Sequence, residues 1–199
     1  LFRNDHGHLV RDKSFPSPKG FWAGVSWGDY NHDGYLDLYI CGYVKYKPDT
    51  HSKGIKSSQF GQEVPFTLNP ASYEPERNLL FRNNGNGTFT EVAKDLGVAN
   101  SDGRSLVALW HDFKGDGWPD LYVANDISEN KLYVNHHGKF TDGGKDAWVE
   151  EYRGSMGLAA GDYNRDGKDD LFISHWIAQG DALYQSVASD MKNKGHGPQ

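Results

Sequence analysis

The sequence predicts an all-β fold made of repeated four-stranded sheets, on three observations. The composition is one of turns and strands rather than helices, with 24 Gly, 11 Tyr and 6 Trp against 2 Met in 199 residues. An acidic loop recurs three times, as DYNHDGYLDL from Asp29, DFKGDGWPDL from Asp112 and DYNRDGKDDL from Asp162, with Asp at positions 1, 5 and 9 and Gly at position 6. Each copy is preceded by a strand-like run (GVSWGD, VALWHD, GLAAGD) and followed by an apolar one (DLYIC, DLYVA, DLFIS).

The elements follow in chain order. Leu1 to Asn4 repeats the third strand of the unit, so residues 1–19 are expected to close a preceding unit. The next unit spans 20–95: a strand before Asp29, one after the loop, NLLFRN as the third and GTFTEV as the fourth, with Asn84-Gly85 in the tight turn. Residues 43–77 interrupt it as an insertion between its second and third strands. The unit at 102–150 has NKLYVN and GKFTDG in the same places, with the turn at His137-Gly138. A last unit, 154–199, supplies DALYQS and then runs into KNKGHGPQ without a clear fourth strand. Four strands per unit at this period predict the blades of a β-propeller. Roughly three and a half blades fall short of a ring of about 4 to 8. Further blades of a larger, typically seven-bladed propeller, or another subunit, are therefore expected to cover the open ends.

The loops carry the chemistry. Oxygen groups at positions 1, 3, 5 and 9, with the backbone carbonyl of position 7, suit one hard cation, and the Gly permits the sharp turn. Loop one offers Asp29, Asn31, Asp33, Asp37 and the Tyr35 carbonyl; loop three offers Asp162, Asn164, Asp166, Asp170 and the Lys168 carbonyl. Loop two offers Asp112, Asp116, Asp120 and the Trp118 carbonyl, but has Lys114 at position 3. That ammonium either stands in the cation's place among the carboxylates or swings outward and leaves a weakened site. All-oxygen donors favour Ca2+ over zinc or copper. Position 12 holds Ile40, Val123 and Ile173, where a helix-loop-helix calcium site needs an acidic residue. The competing reading is a plain turn held by side-chain to backbone hydrogen bonds.

The motifs DYNHDGYLDLYI, DFKGDGWPDLYVAND and DYNRDGKDDLFISHW, with NLLFRNNGNGTFTEV, resemble the FG-GAP/VCBS repeats of the integrin α N-terminal type. Within these they are similar to the bacterial group that resembles cartilage acidic protein 1 and is associated with ASPIC/UnbV segments. The resemblance implies a propeller with structural calcium between the first two strands of a blade. It also implies cysteines in the region of the insertion, which this chain lacks.

Other classes are disfavoured. The net charge of −6, with no basic stripe, argues against nucleic acid, and no apolar stretch is long enough for a membrane-spanning helix. Nine of the 27 acidic residues occupy positions 1, 5 and 9 of the three loops, so the acidity is local. The single Cys41 lies in the apolar run LDLYIC and is expected to be buried. No nucleophile elbow, phosphate loop, zinc-protease motif or dinucleotide fingerprint is present. His111 and His175, at strand ends, are candidates for a ligand-facing surface or for bonds between blades. The insertion, with Tyr43, Tyr46, Phe60, Phe66 and Tyr73 among four prolines, is a candidate for recognition of protein or sugar. The expectation is a calcium-stabilised, non-enzymatic module for protein binding, adhesion or assembly, located extracellularly, at the cell surface or in the periplasm. Its rivals are a glycan-binding module and the propeller part of a carbohydrate-active lyase, a dehydratase or another enzyme complex.

Overall fold

The computed structural model describes residues 1–46, 57–59, 62–64, 70–176 and 179–187; among these the regular elements are β-strands and one 3-10 turn at Pro70–Ser72. A hairpin of β1 (Phe2–Asp5) and β2 (His8–Arg11) comes first, followed by β3 (Trp22–Gly28) and β4 (Asp37–Gly42). The side hairpin β5 (Ser57–Gln59) and β6 (Gln62–Val64) lies in the insertion; β7 (Leu79–Asn83) and β8 (Phe89–Glu91) come after it. Next are β9 (Ser105–His111), β10 (Asp120–Asn125), β11 (Ser128–Glu129), β12 (Lys131–His136) and β13 (Lys139–Asp142). The remainder is β14 (Tyr152–Arg153), β15 (Ser155–Gly161), β16 (Asp170–His175) and β17 (Ala182–Tyr184).

Among the described residues three antiparallel sheets have more than two strands, ordered β3-β4-β7-β8, β9-β10-β12-β13 and β15-β16-β17. The fold is all-β and built of propeller-type blades. The third sheet has three strands among the described residues. A short ladder, β11 with β14, ties the second blade to the segment that enters the third.

Period-2 alternation along the second strand of each blade explains the stacking. In β4, Tyr39 and Cys41 face the second blade, packing with Ala108, Leu121 and Val123, while Leu38 and Ile40 face the other way onto Phe15 and Phe81. In β10, Leu121 and Val123 face back and Tyr122 faces the third blade, meeting Leu171 and Ile173. A strand buried on both faces must be apolar throughout, which is why DLYIC and DLYVA read as continuous runs, while in DLFIS of the third blade Phe172 is left exposed. Cys41 is fully buried, and burial pushes its thiol up to about 12.

The innermost strands β3, β9 and β15 lie side by side, and the contact is close. A Cβ added to Gly24 would meet the Leu106 carbonyl oxygen at 2.4 Å, so glycine is needed there for the approach of two backbones.

One polar contact recurs at each junction. Asn78, just before β7, accepts from the Gly42 amide and donates to Tyr39 Oη and to Ser105 Oγ at the start of the next blade, each at 2.8 Å. Asn130, before β12, repeats this with the Asn125 amide and Ser155 Oγ. Asp181, before β17, accepts from the His175 amide at 3.0 Å. Both Asn side chains are fully buried, where paired amides stabilise and unpaired ones cost about 1–3 kcal/mol each.

The described flanks of the insertion lean on the second blade. Arg104 donates to the carbonyls of Pro70 and Tyr73, and Tyr43 Oη donates to Asp126 at 2.7 Å. Phe60 and Phe66 lie outside the described residues, as does the KNKGHGPQ tail.

Candidate metal centre

Each acidic loop joins the innermost strand of a blade to its neighbour, and its carboxylates turn onto its own backbone. In loop one Asp29 accepts from the amides of Asp33 (3.1 Å) and Gly34 (3.0 Å), and Asp33 accepts from the Tyr35 amide at 2.9 Å. Loop three repeats this: Asp162 accepts from Asp166 (3.0 Å) and Gly167 (2.8 Å), and Asp166 from Lys168 (3.0 Å). In loop two Asp112 accepts from Asp116 (3.1 Å) and Gly117 (2.6 Å), and Asp116 from Trp118 (3.0 Å). The position-3 amides hold the position-5 carboxylates, with Asn31 donating to Asp33 at 2.8 Å and Asn164 to Asp166 at 3.0 Å. The Asn164 bond, with the Lys168 amide, keeps the Asp166 carboxyl below its ordinary value.

Two backbone positions per loop are left-handed. Position 6 is the anticipated glycine, at φ 87°, 88° and 83° in Gly34, Gly117 and Gly167. Position 4 is the other, held by His32 (φ 56°), Gly115 (φ 67°) and Arg165 (φ 62°). The histidine and arginine accept a conformation that costs about 1–2 kcal/mol with a Cβ.

Position 9 is the most buried. Asp37, Asp120 and Asp170 are 0%, 1% and 2% exposed. One oxygen of each accepts from an amide near the end of the third strand: Asn83 (2.8 Å), Asn135 (2.7 Å) and Ser186 (2.8 Å). The second oxygen differs. Asp37 accepts from the Tyr30 amide at 3.3 Å and Asp120 from the Phe113 amide at 3.2 Å, while Asp170 Oδ2 is buried with no hydrogen-bond partner. Burial pushes the Asp37 carboxyl up to about 6, against the two amides that favour its ionised form, and Asp33 and Asp29 add to the rise.

Lys114 turns inward. Its ammonium lies 2.7 Å from Asp116 Oδ2 and 3.4 Å from Asp120 Oδ1, and donates to the Asn135 carbonyl at 2.6 Å. The Lys114 hydrogen bond holds the Asp116 carboxyl below its ordinary value. Burial raises Asp120 by more than the Asn135 amide and Lys114 lower it.

Among the described residues no three carboxylate, imidazole or thiol side chains gather into a ready-made metal cage. Loops one and three nevertheless have a donor set that fits a hard cation: oxygens only, two lone pairs per carboxylate oxygen, and in loop three an orphaned, buried carboxylate oxygen. Asp29, Asn31, Asp33, Asp37 and the Tyr35 carbonyl would hold a cation in loop one. Asp162, Asn164, Asp166, Asp170 and the Lys168 carbonyl would hold one in loop three.

The loops are knitted together along one edge. Trp118 of loop two packs on His32 of loop one, ring centroids 4.0 Å apart, and on His137 at 4.7 Å. Asn135 Nδ2 donates to the Tyr30 carbonyl of loop one at 2.8 Å and to the Pro119 carbonyl of loop two at 2.9 Å. His175, with its side chain fully buried, pairs with Glu151 at 2.8 Å, and His111 lies 2.9 Å from Asp169 of the third blade. His175 is therefore an internal contact, while the partly exposed His111 bridges the second and third blades. The Asn78 and Asn130 junctions were missed by sequence reasoning, although the recurrence of Asn before the third strand and Ser at the head of the next blade carries the signal.

Stacked antiparallel sheets with an acidic loop between their first and second strands define a protein of propeller-type repeats. Residues 112–173 match the FG-GAP-like repeat. Curated relatives include cartilage acidic protein 1 of Homo sapiens, 25% identical over 118 residues, which are 58% of this chain and 17% of that protein. Cartilage acidic protein 1 of Mus musculus is 36% identical over 64 residues, 31% of this chain and 10% of that protein. The matched region is thus a small part of either relative.

Proposed function

We propose that the chain is a calcium-stabilised part of a propeller that works outside the cytoplasm as a non-enzymatic binding or assembly module. The observation that carries this reading is the unpartnered, buried Asp170 Oδ2 at the foot of an all-oxygen loop, a group that a divalent cation would satisfy. When bound, calcium would offset the charge of carboxylates packed at the blade edge. The chain's own part is to hold the loop oxygens in place through the Asp29 and Asp162 turns and the position-9 bonds to the third strand. Calcium at about millimolar levels outside cells saturates even weak modules of this kind, in keeping with an extracellular, cell-surface or periplasmic location.

The module's partner is a protein or further blades. Val25 and Trp27 on β3, and Phe172 and Leu183 on the third blade, leave large apolar groups exposed for such a neighbour to cover. A glycan is a second candidate, favoured by one observation: Tyr46 packs on Tyr73 with centroids 5.7 Å apart and near Phe21, and both Tyr46 and Phe21 are exposed. Loss of glycan-array binding on replacing Tyr46 and Tyr73 by Ala would select the glycan.

The calcium reading is tested by equilibrium dialysis of chelator-stripped protein. Binding is expected at millimolar calcium and should be reduced by Asp33→Asn and again by Asp166→Asn. A stripped chain that takes up no calcium would overturn it.

A further inference from the structure

We infer that loop two carries its own cation: the Lys114 ammonium stands where loops one and three would take calcium, so the middle blade is held without calcium. The inference rests on the calcium reading for the two flanking loops, and adds that the three copies are not equivalent.

The argument starts from position 3. Asn31 and Asn164 each reach one carboxylate oxygen, Oδ2 of the position-5 Asp. Lys114 reaches the same oxygen on Asp116 and goes further, to Asp120 Oδ1 at position 9 and to the Asn135 carbonyl. Two hydrogen bonds, to Asp116 Oδ2 and the Asn135 carbonyl, and an ion pair with Asp120 Oδ1 at 3.4 Å surround one ammonium with three oxygens. Position 5, position 9 and the third strand are thus bridged by a positive charge, as a bound cation would bridge them. A divalent ion added to the same oxygens would lose position 3 as a ligand and would face a like charge fixed within a few ångströms.

The rest of loop two is fitted to this. Position 4 is Gly115, so the left-handed turn carries no side-chain penalty in the copy that has no metal to offset one. Its position-7 side chain, Trp118, anchors the loop between His32 and His137. The Asn135 carbonyl that Lys114 engages belongs to the residue whose side chain donates to loop one and to Pro119. Lys114 therefore secures the junction between the first two blades as well as its own loop.

The test compares the wild-type chain with Lys114→Asn and Lys114→Met, in calcium and in EGTA. By equilibrium dialysis, Lys114→Asn is expected to bind one more calcium ion per chain than wild type, and Lys114→Met no more. Hydrogen exchange supplies a readout free of added metal. In EGTA the Asp116, Gly117 and Trp118 amides should stay protected in wild type and lose protection in Lys114→Met. The Gly34 and Gly167 amides should lose protection on chelation in all three proteins. Equal calcium counts in wild type and Lys114→Asn, or loop-two amides deprotected by EGTA in wild type, would overturn the inference. Absence of calcium uptake by wild type would sink the calcium reading instead, while the exchange of loop-two amides in Lys114→Met would still decide whether the ammonium holds the loop.

Discussion

Single residues in the acidic loops are chosen first by backbone conformation and then by charge. Gly167 sits at φ 83°, and a Cβ built on it meets nothing within 4 Å, so Gly167→Ala isolates the dihedral from crowding. It is expected to lower stability by about 1–2 kcal/mol, read from the urea midpoint. Gly161→Ala, where a Cβ also meets open space and φ is ordinary, should leave the midpoint unchanged or raise it slightly. Charge takes over at position 9. Asp170→Asn keeps an oxygen for the Ser186 amide but removes the negative charge from the orphaned side. The variant should match wild type in EGTA and show a smaller calcium-induced rise in Tm, and an undiminished rise would exclude Asp170 as a ligand. The glycine at position 6 was legible because its spacing from the carboxylates is fixed. Position 4 was not, since histidine and arginine carry no mark of a positive φ. For Lys114 the sequence located the anomaly but left its direction open; only the placement of Asn135 and Asp120 brings the ammonium inward.

At the level of elements, the junctions between blades are held by polar contacts set among apolar strands. Asn78→Ala would strand the Gly42 amide and break the link to Ser105, so a loss of about 3 kcal/mol is expected in urea denaturation. An outcome near zero would show that water replaces the amide. A weaker contact lies on the outer strands of the first blade, where Arg77 reaches Glu91 at 2.9 Å and the Ala93 amide reaches its other oxygen at 2.9 Å. Burial pushes the Glu91 carboxyl up, but the guanidinium and the amide outweigh it and hold it below its ordinary value of 4.5. A lowered carboxyl contributes stability that is present above 4.5 and lost as pH falls through its folded value. Glu91→Gln should therefore flatten the stability profile below about pH 4.5, by no more than about 1 kcal/mol because the pair is partly exposed. The second strands of the first two blades were plain in the sequence because burial on both faces makes them continuously apolar. The short β11–β14 ladder was not, because two-residue pairings leave no periodic trace.

For the whole molecule, the repeat made the stacking of sheets readable, since three loops in register fix where each blade begins. The insertion was readable only as an interruption. Its aromatic and proline content gave no reason to expect that Arg104, from the head of the next blade, would hold the carbonyls of Pro70 and Tyr73. On the proposed reading calcium would act at this scale through linkage: an ion bound by the folded loops and not by the unfolded chain stabilises by about 2.7 kcal/mol when present at a hundred times its dissociation constant. With two such loops flanking a lysine-filled one, chelation should weaken the outer blades while the middle blade keeps its loop. The most direct measurement is the thermal melt of the chain in millimolar calcium and in excess EGTA. A Tm several degrees lower in EGTA, restored by adding back calcium, is the predicted result, and the same Tm under both conditions would contradict a structural role for calcium in the loops.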